Sequence, residues 1–149
     1  MRSNLILIFC FLFLASCSNA ELLEVNFKNT DSSASPKLEV ELALKNSTRQ
    51  MGLMYRKKMD TNRGMLFVFP DEDTRAFWMR NTYLPLDIIF ISSDRKVVNI
   101  VEKATPLTDT QRSSEGPAKY VVEVNAGMAK TWGVVKGSIL EGNLPVSSD

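Results

Sequence analysis

Two carboxyl groups stand inside apolar strands of this sequence, and they are the first residues that could do chemistry. Asp87 heads "LDIIFI", and Glu123 alternates with valine in "YVVEV". Two carboxylates facing each other in a cleft can serve as general acid and base. The structural alternative places Glu123 on the solvent face of its strand and lets Asp87 accept backbone N–H groups of the preceding loop. Arg56 or Arg80 could also pair with Asp87 and keep it ionised.

The apolar stretch "FWMRNTYLPLDIIF", residues 77–90, needs a reason for its polar residues, because a buried polar group is unfavourable unless it is paired. Pro85 has no N–H, so "NTYLP" is predicted to be an irregular bridge between two strands. Asn81 and Asp87 have short side chains that can bond to the main chain of such a bridge. We therefore predict that Asp87 stabilises this loop, and only through it shapes any site beside Trp78.

Thioethers and aromatic rings are the other groups with binding chemistry. Methionine clusters can hold reduced copper, but methionine also fills irregular gaps in a core. Several methionines, Met79 among them, stand among Leu, Phe and Trp, so core packing is predicted, with no metal and no cofactor. Phe77 and Met79 would share one face of their strand, which leaves Trp78 on the other face as a candidate ligand platform.

The sequence contains no His, and this excludes whole classes of site. Ser-His-Asp and Cys-His nucleophile pairs, imidazole metal sites and a histidine general base are all impossible. The only cysteines are Cys10 and Cys17, both close to the N-terminus, so no disulfide is predicted within the domain.

The N-terminal segment is predicted to direct export. A charge-free apolar run ends in "LASC", residues 14–17, which resembles the lipobox of bacterial lipoproteins. Residues 1–16 are therefore predicted to be a lipoprotein signal peptide, with Cys17 lipidated. A plain signal peptide cut near Ala20 is the alternative. Ser18 resembles an outer-membrane sorting residue, so we expect a lipid anchor in the cell envelope, on the periplasmic side of the outer membrane if the cell is Gram-negative.

The remaining chain is electrically balanced and forms one predicted domain. Loss of Arg2 with the signal peptide leaves 17 basic and 17 acidic residues, which gives no electrostatic footprint for nucleic acid. Residues 17–36 are predicted to hold the lipidated cysteine, a possible first strand and a polar linker. Residues 37–149 are predicted to be a single mainly β domain, large enough to bury a core.

Short strands dominate the predicted elements. Alternation in "KLEVELALK" and apolar runs such as "LDIIFI" indicate strands, one of them stopped by Pro70. Short helices are predicted over residues 47–57 and 126–132, and the polar residues 104–118 are predicted to form a surface loop or lid. These patterns predict a compact antiparallel sandwich or partly closed barrel of about eight short strands with two short helices.

Four blocks, "GLMYR", "GMLFVF", "FWMRNTYLPLDIIFI" and "YVVEVNAG", resemble domain of unknown function family 192 in order and spacing. The resemblance covers about residues 38–142, with a departure at Ser93–Asp94–Arg95 and a loose closing "KGSILEG". It implies a compact mainly β domain, often exported, with no established activity. The positions that carry the signature of the family are Arg56, Gly64, Met65, Trp78, Met79, Asn81, Asp87, Glu123 and Gly127.

The absent His, the absent thiol and the neutral charge favour a non-catalytic envelope lipoprotein that binds a small molecule, glycan or peptide. A carboxylate-dependent hydrolase of the envelope and a structural accessory protein are the alternatives. A deep pocket joining Trp78 to two carboxylates would favour the enzyme, and a flat face the accessory protein. The expected partners are the membrane, through the N-terminal lipid, and an unknown small ligand or envelope protein. The candidate ligand-binding residues are Arg56, Trp78, Met79, Asn81, Asp87 and Glu123.

Overall fold

A computed structural model of the protein describes residues 22–149. The predicted signal peptide, residues 1–16, and the predicted lipidation site, Cys17, lie outside the described residues. Within the described range, no helix is both long enough and apolar enough to cross a membrane.

Nine strands and two short helices make up the described part of the chain. In chain order they are β1 Leu22–Lys28, β2 Leu38–Ala43, α1 Asn46–Met51, β3 Arg63–Asp73, β4 Ala76–Phe77, β5 Leu86–Ile91, β6 Val97–Ala104, β7 Arg112–Ser113, β8 Ala118–Asn125, α2 Met128–Thr131 and β9 Ile139–Gly142.

Seven of the strands form one strongly curled sheet in the order β6-β5-β8-β3-β2-β1-β9. Neighbours pair antiparallel except β2 and β3, which are parallel and joined by a crossover containing α1. The edges of the sheet meet, because Val97 donates its N–H to the carbonyl of Ser138 and Leu140 donates to Arg95. The predicted mainly β, partly closed fold is therefore confirmed, with β4 and β7 as a small second sheet.

The curled sheet is apolar on both faces, which explains why its central strands lack a simple alternation. All six residues of β5 are buried, as is typical of a strand covered on both sides. The inside of the curl holds residues from both edges, Val97 and Leu140 among them, packed with α2. The outer face is covered by the segments between β2 and β5, where Leu53 and Met79 pack on Phe67.

The boundaries of two predicted elements were wrong. Strand β3 runs through Pro70 to Asp73, and its pairing with β8 shifts between Val68 and Asp73. Because Pro70 lies at this irregularity, its missing N–H removes no ladder hydrogen bond. The helix predicted over residues 47–57 ends after Met51, because the chain turns at Gly52, where φ is 48°.

The polar segment predicted as a loop or lid, residues 104–118, is tied to the outer face of the sheet. Its two-residue strand β7 pairs with β4. Asn99 on β6 donates its side-chain N–H to the carbonyl of Ser113 and accepts the backbone N–H of Glu115. The second predicted helix, 126–132, is a single turn, α2.

Candidate functional site

The two candidate carboxyl groups lie on adjacent strands but point to opposite faces of the sheet. In the pairing of β5 with β8, Asp87 stands opposite Val124, and Ile88 stands opposite Glu123. Because side chains alternate along a strand, Asp87 points to the inside of the curl and Glu123 to the outer face. The two groups therefore do not share a cleft.

Asp87 is fully buried and acts as an acceptor for three backbone N–H groups. One carboxyl oxygen accepts the N–H of Lys103, at 2.8 Å. The other accepts those of Gly127 and Ala129, at 2.8 and 3.0 Å. Asp87 thus ties the end of β6 and the start of α2 to the centre of the sheet. Its partners are these two segments rather than the predicted bridge before Pro85.

The arginines predicted as partners of the buried aspartate bind other groups, so that interpretation was wrong. Arg56 forms a bidentate ion pair with Glu41 on β2, in which one nitrogen lies 2.7 Å from a carboxylate oxygen. This pairing holds the pKa of Glu41 below its usual value. Arg80 donates to Asp109 at 2.8 Å and lies over the ring of Trp78, 4.4 Å from its centroid.

Met79 and Asn81 shape the loop that carries Trp78. Met79 is fully buried and donates its backbone N–H to the carbonyl of Thr108 in the long polar segment. Asn81 adopts the left-handed conformation, with φ of 55°, which Asn tolerates better than most residues. Its carbonyl accepts the N–H of Tyr55, and its side chain donates to the Tyr55 hydroxyl at 2.9 Å. Both residues therefore position the loop.

A pocket of about 210 Å³ lies on the outer face, between α1, the residues that follow it, β3 and β4. Its walls are largely apolar. The ring of Phe77 stands edge to face against Phe67 and Phe69, with centroids 5.0 and 6.4 Å apart. Trp78 lies at the rim, 44% exposed. The charged lining residues are Arg49 and Glu123.

Glu123 is the unusual group of this pocket. It is 4% exposed, so the structural alternative that placed it on the solvent face of its strand was wrong. No hydrogen bond or ion pair reaches its carboxyl group from residues 22–149. In the same range, every buried side-chain N or O atom without access to solvent has a hydrogen-bond partner. The unbonded carboxyl oxygens of Glu123 must therefore be accessible from the pocket. Burial raises the pKa of Glu123 to about 8, which keeps it mostly protonated at neutral pH.

Arg49, by contrast, is bonded to other groups of the protein through its two terminal nitrogens. Its guanidinium donates to the carbonyls of Leu44 and Val68, at 2.7 and 3.0 Å, and forms an ion pair with Asp149. Arg49 was not among the sequence-based candidates, because nothing in the local sequence indicates that α1 packs against β3.

Comparison with known proteins gives two kinds of match. Residues 27–142 match the model of the DUF192 family, described as an uncharacterized ACR. A candidate transcription regulator from Sinorhizobium meliloti 1021 is 41% identical, with a TM-score of 0.79 over 83% of this chain and 95% of that chain. A protein of unknown function from Novosphingobium aromaticivorans DSM 12444 is 35% identical, with a TM-score of 0.79 over 85% and 89% of the two chains. No curated protein matches the sequence.

Proposed function

Because the chain belongs to the DUF192 family, in which the fold is defined and the activity is not, we propose a function from its pocket. The domain is a non-catalytic binding protein for a small molecule, held at the cell envelope by a lipid on Cys17. The observation that carries the proposal is the carboxyl group of Glu123, nearly buried and without a partner among residues 22–149, at the wall of an aromatic pocket.

An unpartnered buried carboxyl is costly to the fold, and this cost supports a role in binding. Glu123 could be replaced by an apolar residue of similar size without losing any hydrogen bond among the described residues. Polar groups kept at such a cost are typical of functional sites, where stability is given up for ligand recognition.

The same geometry supports binding over the two alternatives. A carboxylate-dependent hydrolase needs a second carboxylate near Glu123, but Asp87 points to the opposite face and is occupied by backbone donors. Glu41, on the same face two strands away, is paired with Arg56. An accessory protein without a ligand has no use for a pocket with a free acceptor. The Sinorhizobium protein is described as a transcription regulator. The equal numbers of basic and acidic residues beyond the predicted signal peptide argue against a nucleic-acid partner for this chain.

The test is a thermal-shift screen of the purified chain against small molecules with one compact apolar group. A ligand that binds only the native state raises its stability, by about 2.7 kcal/mol at a concentration 100 times Kd. Trp78→Ala should weaken binding of any hit at least fivefold, because Trp78 lines the pocket. Tyr83→Ala is the matched control, since Tyr83 is similarly exposed, at 46%, and lies outside the pocket lining. A library without hits, or hits indifferent to Trp78→Ala, would refute the proposal.

The lipid anchor gives a separate prediction. Cys17→Ala removes the thiol that would carry the acyl chains, so the protein should lose its acyl label, and any protein whose signal peptide is still cleaved should appear in the soluble fraction. Fractionation and metabolic labelling with a fatty acid measure both effects. Ser18→Ala is the control, because it leaves the thiol in place. Wild-type protein without label in the soluble fraction would contradict the anchor.

A further inference from the structure

This inference rests on the proposed binding function and names the ligand class. We propose that the pocket binds a primary ammonium group on a compact apolar body, with the carboxyl group of Glu123 as the partner of the ammonium. The chemistry is that of a small amine with one ring or a short hydrocarbon chain.

The charges around Glu123 leave its carboxyl group free for a ligand. Met65 on β3 and Ile88 on β5 stand beside it in the sheet, and neither can donate a hydrogen bond to it. The next charged residue in this row is Glu41, beyond Met65, and it is paired with Arg56. No charged side chain of β2, β3 or β5 therefore neutralises Glu123.

From α1, the only charged side chain in the pocket is Arg49. Its two terminal nitrogens are already bonded to Asp149 and to backbone carbonyls, and it forms no ion pair with Glu123. The segments between β3 and β5 add Phe77, Trp78 and Thr82 to the lining, and none of these carries a charge. Among the described residues, the pocket therefore offers one unpaired acidic group and no unpaired cation, which favours a cationic ligand over an anionic one.

The aromatic walls suit a cation as well. Aromatic faces carry partial negative charge and attract ammonium and guanidinium groups. The protein already uses this attraction beside the pocket, where Arg80 lies 4.4 Å from the centroid of the Trp78 ring and Arg49 lies 5.1 Å from that of Phe69. Phe69 also holds Arg75, at 4.1 Å. Phe67 and Phe77, by contrast, line the pocket and hold no cation of the described residues, so these two rings are left for a ligand ammonium.

The volume limits the size of the amine. At about 210 Å³ the pocket exceeds a cavity of about 150 Å³, which admits benzene, and is smaller than the range of about 300–1,000 Å³ typical of drug-sized ligands. Benzylamine has one ring and one ammonium group and is the natural probe. Benzyl alcohol has nearly the same shape without the charge and is its neutral counterpart.

Binding of an ammonium must be coupled to loss of a proton. In the empty pocket at neutral pH, Glu123 is mostly in the protonated form. The ammonium binds the carboxylate, so the Glu123 proton passes to solvent, and the complex holds one cation and one anion. The affinity for benzylamine should therefore rise roughly tenfold between about pH 6 and 7, as the binding-competent fraction rises.

The experiment is calorimetric titration of the full chain with each probe, at about pH 6, 7 and 8, in two buffers with different ionisation enthalpies. Benzylamine should release nearly one proton per molecule bound at neutral pH and bind more tightly as the pH rises. Benzyl alcohol should release none. Glu123→Gln keeps the shape of the side chain and should abolish the pH dependence for benzylamine while leaving benzyl alcohol unaffected.

The outcomes separate the two proposals. If benzyl alcohol binds as tightly as benzylamine, or benzylamine releases no proton, the ammonium inference is overturned while the binding function stands. If neither probe binds and the thermal-shift screen also finds no ligand, both are overturned. Proton release from the wild-type protein decides the inference even if Glu123→Gln fails to fold.

Discussion

Replacement of Asp87 by alanine is expected to lower the free energy of unfolding by about 3–5 kcal/mol. The side chain is fully buried, and its two oxygens accept the N–H groups of Lys103, Gly127 and Ala129. Alanine would leave all three donors without an acceptor in a site that water does not reach. Urea denaturation, followed by tryptophan fluorescence or circular dichroism, measures the change.

Asp87→Asn is the graded comparison. Its amide oxygen can still accept the N–H groups of Gly127 and Ala129, but its amide nitrogen would then face the N–H of Lys103. Two donors facing each other gain nothing, so we expect a loss of about 1–3 kcal/mol, smaller than that of alanine. Asp60→Ala is the matched control, because the Asp60 side chain is exposed and has no hydrogen bond or ion pair within residues 22–149, so the unfolding midpoint should stay unchanged.

The same variants test whether Asp87 acts in the fold or in the site. Asp87 lies on the face of the sheet opposite to the pocket, so variants that still fold should keep the affinity of the wild type for a pocket ligand. Unchanged unfolding midpoints together with lost ligand binding would assign Asp87 to the site and contradict the structural role.

The sequence was sufficient for the fold class because local patterns decide it. Alternation in β2 and the apolar runs of β5 and β8 indicate strands regardless of their partners. The sequence was not sufficient to place the two carboxyl groups, because the pairing register of two buried strands decides which face of the sheet each side chain points to. A shift of one residue between β5 and β8 would have brought Asp87 and Glu123 to the same face. Register depends on the pairing of segments that are distant in the chain, so it cannot be derived from the local pattern of a single sequence.

The candidate site was predictable only in part, for a similar reason. Trp78 was identified from the prediction that Phe77 and Met79 share the other face of one strand, but β4 ends at Phe77, and both Phe77 and Trp78 line the pocket. Arg49 enters the pocket through the packing of α1 against β3, a contact between segments far apart in the chain. The alternative that placed Glu123 in solvent failed, because alternation with valine suggests one solvent-exposed face, whereas β8 is covered on both faces.

Glu123 should give the protein an unusual loss of stability with rising pH. In the unfolded chain a glutamate has a pKa of about 4.3, whereas burial raises the pKa of Glu123 in the folded protein to about 8. Between these values the unfolded state has lost its proton and the folded state has kept it. The contribution of Glu123 to the free energy of unfolding should therefore be highest below about pH 4.3, fall between about pH 4.3 and 8, and then level off. The total loss is about 3–5 kcal/mol.

This window is free of the other groups that usually shape such a profile. The chain has no His, so no imidazole titrates between about pH 5 and 8. Carboxyl groups whose pKa is lowered by a partner, such as Glu41 beside Arg56, contribute stability that is present at neutral pH and lost only as the pH falls through their folded pKa. The slope above about pH 5 can therefore be assigned to Glu123.

Glu123→Gln should remove that slope, because glutamine has no proton to lose. At about pH 8 the variant should be more stable than the wild type by about 3–5 kcal/mol, and the two should converge near about pH 4.5. Urea denaturation at several pH values measures both curves, with Glu102→Gln on the exposed part of β6 as a control that should parallel the wild type. Parallel curves for Glu123→Gln and the wild type would mean that the carboxyl group is not held protonated in the fold. A variant that is more stable and no longer binds benzylamine would instead show that one buried group sets both the instability of the domain and its choice of ligand.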